Sequence, residues 1–324
     1  MAIHHLEPET RTVHGRFNPD LAPILTIDPG DTVHYRTLIA GWREEGPRTD
    51  GVERKRLRPA EGVPDDEHCL VGPVAIRGAE PGMTLVVHIN RVDPGTWGQT
   101  LAGGWDSHVN RWFGLLDDSD KFDAWWTMEW DAETRSGTGQ ASIGYEVPLN
   151  PFFGVIGMPP TDPGWHSTAP PRLTGGNLDC KELVAGSTLY LPIHSTGGLV
   201  SLGDGHGTQT DGEVSGTAIE CPIDYAEITY DLLQEQILPG PWAETAAGTI
   251  TFGFDEDLDN ASLKALQAMT TLLGLRYGMT TQEALVMASV AVDLRVTQIV
   301  NGVQGVHAVL PKGAIKLSES RTKE

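Results

Sequence analysis

Between Asn177 and Glu213 the chain sets three polar pairs two residues apart: Asn177 with Asp179, Asp204 with His206, and Asp211 with Glu213. In extended backbone every second side chain faces the same way, so each pair can present both heads to one side. Glycine flanks each pair, in GGNLD, GDGHG and TDGE, and glycine lets loops bend tightly and approach closely. Carboxylate oxygens beside a neutral imidazole nitrogen suit Zn²⁺ or another divalent ion, and an all-oxygen subset suits Ca²⁺ or Mg²⁺. A bound ion can lower the pKa of its water toward about 7. A neighbouring carboxylate such as Glu213 can then move the proton. The competing reading is turn chemistry, in which Asx side chains bond the backbone two residues on. Each pair alone fits a turn; the three together, between the strand-like LYLPIH and EVSGTAIE, favour a site. His194 at the end of LYLPIH and His68 after an acidic run are either further ligands or ordinary rim histidines.

Other chemistries lack their local signatures. There is no G-x-x-x-x-G-K-[ST], no G-x-G-x-x-G between a strand and a helix, no H-E-x-x-H and no G-x-S-x-G. The loop starting at Asp204 fails as an EF-hand because its twelfth position is Ser215. Cys180, beside Lys181 and Glu182, is either a nucleophile or a small buried thiol, and free cysteine is more often the latter.

The elements that must position these residues are mostly strands. Ile24–Ile27, Thr32–Ile39, Val74–Ile76 and Thr84–Val92 are short β-type runs separated by turn signals such as DPGD and GAEPG, and ITYDLL and TITFGF follow later. Leu183–Gly203 carries no charge, but its glycines and Pro192 fit buried strands joined by a loop rather than a membrane span. From residue 95 to 144 the pattern weakens and tryptophans crowd in, which reads as an insertion or lid that either lines a pocket or seals a loop against the body. Helices are expected mostly late, over 258–292. Asn260 or Ser262 would cap a first one with Leu263, Leu266, Met269 and Leu273 on its apolar side, and the capping box Thr280–Glu283 opens a second. Strands first and helices late, without βαβ alternation, predict a mainly β or α+β architecture in a single unit over 1–324.

The formal charge of −21 makes nucleic acid and anionic membrane poor partners. Three scattered cysteines and the lack of an apolar N-terminal run predict a cytoplasmic protein.

Five ordered blocks, GPVAIRGAEPG, NPFFGVIGMPP, GGNLD, GSTLYLPIH and GDGHGTQTDGEVSGTAIE, resemble the acetamidase/formamidase family of amide hydrolases. The resemblance implies a jelly-roll-type β-sandwich with added β and α/β elements, and a homo-oligomer. It implies hydrolysis of a small, neutral, linear amide to ammonia and a carboxylate, with a divalent metal, Zn or Ca, in some members. The matching polar positions are Asn177, Asp179, Asp204, His206, Gln209, Asp211, Glu213 and Glu220. On that basis Asp204, His206, Asp179 and Asn177 are assigned to a metal or water, and Glu213, Asp211 and Gln209 to catalysis. Glu220, His194 and His68 are additional candidates, and backbone amides of Gly203–Gly207 would meet the oxyanion. Met83, Thr210 and Cys69 depart from the family pattern, and 95–144 matches it poorly. Two alternatives stand beside this: a hydrolase of larger or cyclic amides, and a non-catalytic, Ca-dependent carbohydrate-binding module.

Overall fold

Alternating apolar residues and frequent turn glycines break the chain into strands that can hide only one face each, so the sheets must cover one another. The computed structural model describes residues 1–48, 50 and 52–317, and the tail of the expected unit, 318–324, lies outside them. Among the described residues the strands form a nine-stranded and a twelve-stranded sheet. The first runs through Ile3–Leu6, Thr32–Thr37, Ile223–Leu233, Thr84–Pro94, Thr188–Pro192, Trp242–Glu244, Gly248–Asp255, Gln304–Pro311 and Asp293–Gln298, almost entirely antiparallel. The second has Val200–His206 in its interior, paired with Phe152–Gly157, Glu220–Cys221 and Leu70–Ile76.

One apolar cluster draws on both sheets, with Val87, Ile89 and Ile228 from the first and Val71, Phe153 and Leu202 from the second. This is the sandwich core of a mainly β fold. A second cluster lies between the outer part of the nine-stranded sheet, through Val306, Ala308 and Leu310, and the two helices Leu258–Tyr277 and Thr281–Ala291. The first helix starts earlier than the sequence suggests. Asp257 caps it by accepting from the Asn260 amide. Its buried side is Ala261, Ala265, Met269, Leu272 and Leu273, while Leu263 is exposed. Small residues face the sheet because Gly253 meets the backbone of Ala261 and Ala265 directly. The capping box at Thr280 and Glu283 forms as expected.

Residues 95–144 are more regular than their sequence suggests. Trp97–Ala102, Phe122–Asp131 and Ser136–Ala141 form an antiparallel series that extends the twelve-stranded sheet from Glu220 outward. Their tryptophans obscured the period because several act as bridges. The Trp126 indole donates to Thr100 Oγ1 at 3.0 Å and the Trp130 indole to Asp93 Oδ1 at 3.0 Å. Trp112 stands exposed on the short helix His108–Phe113.

The strand carrying the site is also tied to the N-terminus. His14 is 2% exposed; its Nδ1–H donates to the Arg16 carbonyl and its Nε2 accepts from Ser201 Oγ, each at 2.8 Å. Burial pushes the ring down to about 4, against partial opposition from the Arg16 bond. The folded state therefore takes up this proton about 2.5 pH units later than an unfolded chain, whose histidine titrates near 6.5. Stability is full above that value, declines as pH falls, and is lost by roughly 3 kcal/mol once pH passes below about 4. Urea midpoints at pH 7.5 and 4.5 should differ by more in the native chain than in His14→Gln; equal differences would exclude His14 as a source of acid sensitivity.

Candidate active site

The site begins where two strands cross without side-chain bulk. Phe152, Phe153 and Val155 pair in register with His206, Gly205 and Gly203, leaving Gly154 opposite Asp204. Asp204 has φ of 58°, which takes it out of the regular ladder and turns its carboxylate over Gly154. A Cβ on Gly154 would lie 2.6 Å from Asp179 Oδ1 and 2.8 Å from His206 Cε1, and closer still to Asp204 Oδ2. Three side chains from two segments thus converge on the space that one missing methyl group leaves open.

Two more carboxylates complete the cluster. Ligand atoms of Asp179, Asp204 and His206 lie within 4.8 Å of one another, as do those of His206, Glu213 and Glu220. His206 Nε2 is 3.3 Å from both Asp204 Oδ2 and Glu220 Oε1, although neither approach has hydrogen-bond alignment. Its ring stands edge-on to Phe152, centroids 5.0 Å apart. Asp179, Asp204 and Glu213 all have positive φ, at 47°, 58° and 45°. Such backbone costs on the order of 1–3 kcal/mol per residue and persists where surrounding structure enforces it, often at functional sites.

Surrounding bonds show how the enforcement works. The amides of Leu178 and Asp179 both donate to the Gly154 carbonyl, at 2.9 and 3.2 Å. Gln209 Nε2 donates to the Asp179 carbonyl at 2.8 Å, and Asn301 Nδ2 to Asp179 Oδ2 at 2.7 Å. The Ala218 amide donates to Glu220 Oε1 at 2.9 Å. Gly212 carries the sharp turn before Glu213 with φ of 99°, and its amide donates to Thr297 O. With Gly212 in that role, Thr210 can remain a threonine on the surface.

Electrostatics are severe in this dry space. Burial, reinforced by Asp204, raises Asp179 to about 7 even though His206 opposes the shift. Burial and Asp179 together raise Glu213 well above the usual carboxylate range. His206 loses solvation too, but Glu220 and Asp204 outweigh that and hold its proton well above the ordinary histidine value. Buried polar atoms nearly always find partners. Here Asn177 Oδ1, Asp179 Oδ1, both His206 nitrogens, Gln209 Oε1, Glu213 Oε2 and Glu220 Oε2 have none among the described residues. Orphaned acceptors aimed around an open cradle fit a cation, and a divalent ion would displace the His206 proton and invert the local titration order.

A cavity of about 300 Å³ opens onto the cluster, lined by Asn177, Asp204, Glu213, Glu220 and half-buried His68 among others. His68 Nδ1 bonds Thr168 Oγ1 at 2.8 Å. Two sequence candidates sit elsewhere. The Asp211 carboxylate pairs with Lys181 at 2.9 Å, and half-buried His194 is absent from the cavity lining. Of the expected oxyanion amides, that of Gly207 is occupied, donating to Ile219 O, while Gly203, Gly205 and His206 lie at paired strand positions. Cys180 is fully buried with its thiol pushed up by desolvation, which fits packing rather than nucleophilic attack. Sequence reasoning missed Gly154, which entered only as part of the block NPFFGVIGMPP, and Asn301, which lies far along the chain with no local signal.

Gly154→Ala should leave the sandwich folded, because its new methyl meets side-chain ends rather than backbone, yet displace the cluster. Zn²⁺ or Ca²⁺ titration calorimetry should show affinity reduced by about tenfold or more, on the scale of lost metal support. Unchanged affinity would mean that the cradle is not where cations bind.

Comparison with known proteins places this geometry in a lineage. A family model described as "Acetamidase/Formamidase family" matches residues 3–163 and 164–242. A formamidase of Methylophilus methylotrophus is 26% identical over 275 residues, 69% of this chain and 65% of that protein. An acetamidase of Mycolicibacterium smegmatis is 26% identical over 62% of this chain and 61% of its own. The chain thus spans less than two thirds of the length of these curated relatives. The crystal structure of an acetamidase from Bacillus halodurans superposes with a TM-score of 0.79 at 26% identity, covering 95% of this chain and 97% of that one. The chain belongs to the acetamidase/formamidase family.

Proposed function

We propose that this protein hydrolyses the C–N bond of a small linear amide of the formamide or acetamide type, releasing ammonia and a carboxylate. The observation that carries the reading is the buried convergence of Asp179, Asp204 and His206 over Gly154, with Glu213 and Glu220 alongside and a cavity leading in. Relatives named formamidase and acetamidase supply the reaction class.

Asp179, Asp204 and His206 would hold a divalent ion, with Asn177 Oδ1 a further oxygen nearby. When bound, such an ion supplies Lewis acidity, drawing charge from an amide oxygen and easing deprotonation of water. The protein's own residues do the rest. Glu213, which burial keeps protonated in the empty cluster, would be ionised by the charge of a bound cation and then be suited to accept the water's proton and deliver it to the departing nitrogen. Protonation matters because amide nitrogen leaves poorly as an anion. Gln209 and Asn301 are positioning residues that fix the Asp179 backbone and carboxylate. Asp211, paired with Lys181, steadies the turn that presents Glu213. The burial of the carboxylates weighs against a surface carbohydrate-binding module. Assembly into a homo-oligomer and a cytoplasmic location belong to the same reading, and the three buried, unpaired cysteines suit a reducing compartment.

Ammonia release from formamide, acetamide and bulkier amides, with and without chelator, tests the assignment. Turnover of the small amides should fall on chelation and return with added metal. Glu213→Gln should lose about 10²–10⁴-fold in kcat, as removal of a general base does, with its thermal midpoint retained. Full activity in a folded Glu213→Gln protein would remove Glu213 from the mechanism.

A further inference from the structure

The geometry points to an anion subsite at the mouth of the same cavity, in which Arg54, with Arg43 and Lys121, holds a carboxylate carried by the amide substrate. The inference rests on the hydrolase reading and amends the expectation of an uncharged substrate.

Charge gives the first reason. The chain carries −21 overall, yet Arg43, Arg54 and Lys121 all line the cavity that holds the carboxylate cluster. Exposure then orders the two groups. Asp204, Glu213 and Glu220 are buried, Arg43 and Arg54 are half-buried and Lys121 is exposed, so the cavity runs from an acidic floor to a basic mouth. An anion entering this cavity against the general field would meet counter-charge at that mouth.

Arg54 gives the second reason. Its guanidinium lies over the Trp125 ring, 4.8 Å from the centroid, an arrangement that holds the planar group in place. Its Nη1 is buried without a hydrogen-bond partner among the described residues. Burial, and then the like charge of Arg43, lower its pKa against weaker opposition from Asp123 and Glu45, so the charged form is only partly compensated there. Arg43, by contrast, is occupied, donating to the Arg54 carbonyl at 2.9 Å and lying 3.6 Å from Glu53. A guanidinium that is fixed, desolvated and unpaired is suited to bidentate capture of a carboxylate.

Space gives the third. At about 30 Å³ per water, its share of the liquid volume, a cavity of about 300 Å³ holds on the order of ten water-sized groups, whereas acetamide has four non-hydrogen atoms. A substrate that reaches both the acidic floor and the basic mouth is an amide with a carboxylate a few bonds away, such as the monoamide of a short dicarboxylic acid. The reaction stays balanced: water adds to the amide carbonyl, the C–N bond breaks, ammonia takes the proton, and the distal carboxylate is unchanged.

The test measures kcat/KM for ammonia release from malonamate and succinamate against propionamide and butyramide, at fixed ionic strength, in the full chain and in Arg54→Met, Arg54→Lys and Lys121→Met. The native protein should favour the carboxylated amides by about tenfold or more, chiefly through KM, as expected for one desolvated charge pair. Arg54→Met should cut that ratio by a similar factor, and Arg54→Lys should restore part of it. Lys121→Met, at an exposed position, reads the same ratio if Arg54→Met does not fold. Calorimetry of malonamate binding provides a second readout that needs no turnover. An equal or inverted preference in the native protein, or a ratio untouched by Arg54→Met, overturns the subsite while leaving neutral-amide hydrolysis standing. Absence of ammonia from every amide overturns the hydrolase reading instead; malonamate binding that depends on Arg54 would then still support the subsite, and its absence would overturn both.

Discussion

The structure turns on a single close approach, where Gly154 faces Asp204 across two paired strands of the larger sheet. Any side chain at that position would occupy the space into which Asp179, Asp204 and His206 point. Four carboxylates and one imidazole in a dry space repel one another and lose hydration, and such a cluster is stable only if geometry and counter-charge both offset that cost. Geometry comes from the sandwich. Counter-charge comes partly from the His206 proton and, when an ion is present, from the ion. This explains why the pKa directions diverge among neighbours: Asp179 and Glu213 retain protons while His206 is held charged.

Holding three non-glycine residues at positive φ requires a rigid surround, and both sheets contribute to it. Asp179 is gripped at its amide by Gly154, at its carbonyl by Gln209 and at its carboxylate by Asn301. Behind it, Cys180 donates to Glu182 at 3.3 Å, and Glu182 meets Arg295 at 3.0 Å and His307 at 3.4 Å. Arg295 and His307 lie on the last two strands of the nine-stranded sheet. The C-terminal strands therefore buttress a site whose ligands come from the middle of the chain. Burial alone would raise Glu182, but the neighbouring His307 outweighs it and holds the carboxyl at about 2, so it stays charged beside Arg295 at neutral pH.

Much of the fold was legible because local chemistry and tertiary demand agree there. Thr84–Val92 alternates and follows a glycine turn, and it is a strand; Thr280 and Glu283 make their capping box. Legibility failed where tertiary contact overrides pattern. Leu263 has the right spacing for a buried face but points to solvent, because the sheet admits only small residues at Ala261 and Ala265. In the tryptophan-rich segment, indoles that bond Thr100 and Asp93 sit at strand positions where a period-2 count expects only apolar or only polar residues. At the site, the spacing of two correctly groups Asp204 with His206, since both lie on one strand, but fails for Asp211 and Glu213. There the turn at Gly212 separates the two, sending one to Lys181 and the other to the cluster.

That divergence at Gly212 shows what a sequence pattern of ionisable residues can and cannot convey. Spacing specifies direction only along regular backbone, and Glu213 follows a glycine at positive φ, so its direction is set by the partners of the turn. Those partners are Thr297, which accepts from the Gly212 amide, and Ile299, whose amide donates to the Gly212 carbonyl. Asn301, two residues further on, reaches Asp179. One edge of the nine-stranded sheet thus sets both Glu213 and Asp179 relative to the strand that holds Asp204 and His206. The distance between those two carboxylates is fixed by how the C-terminal strands dock, a relation that no stretch of neighbouring residues contains.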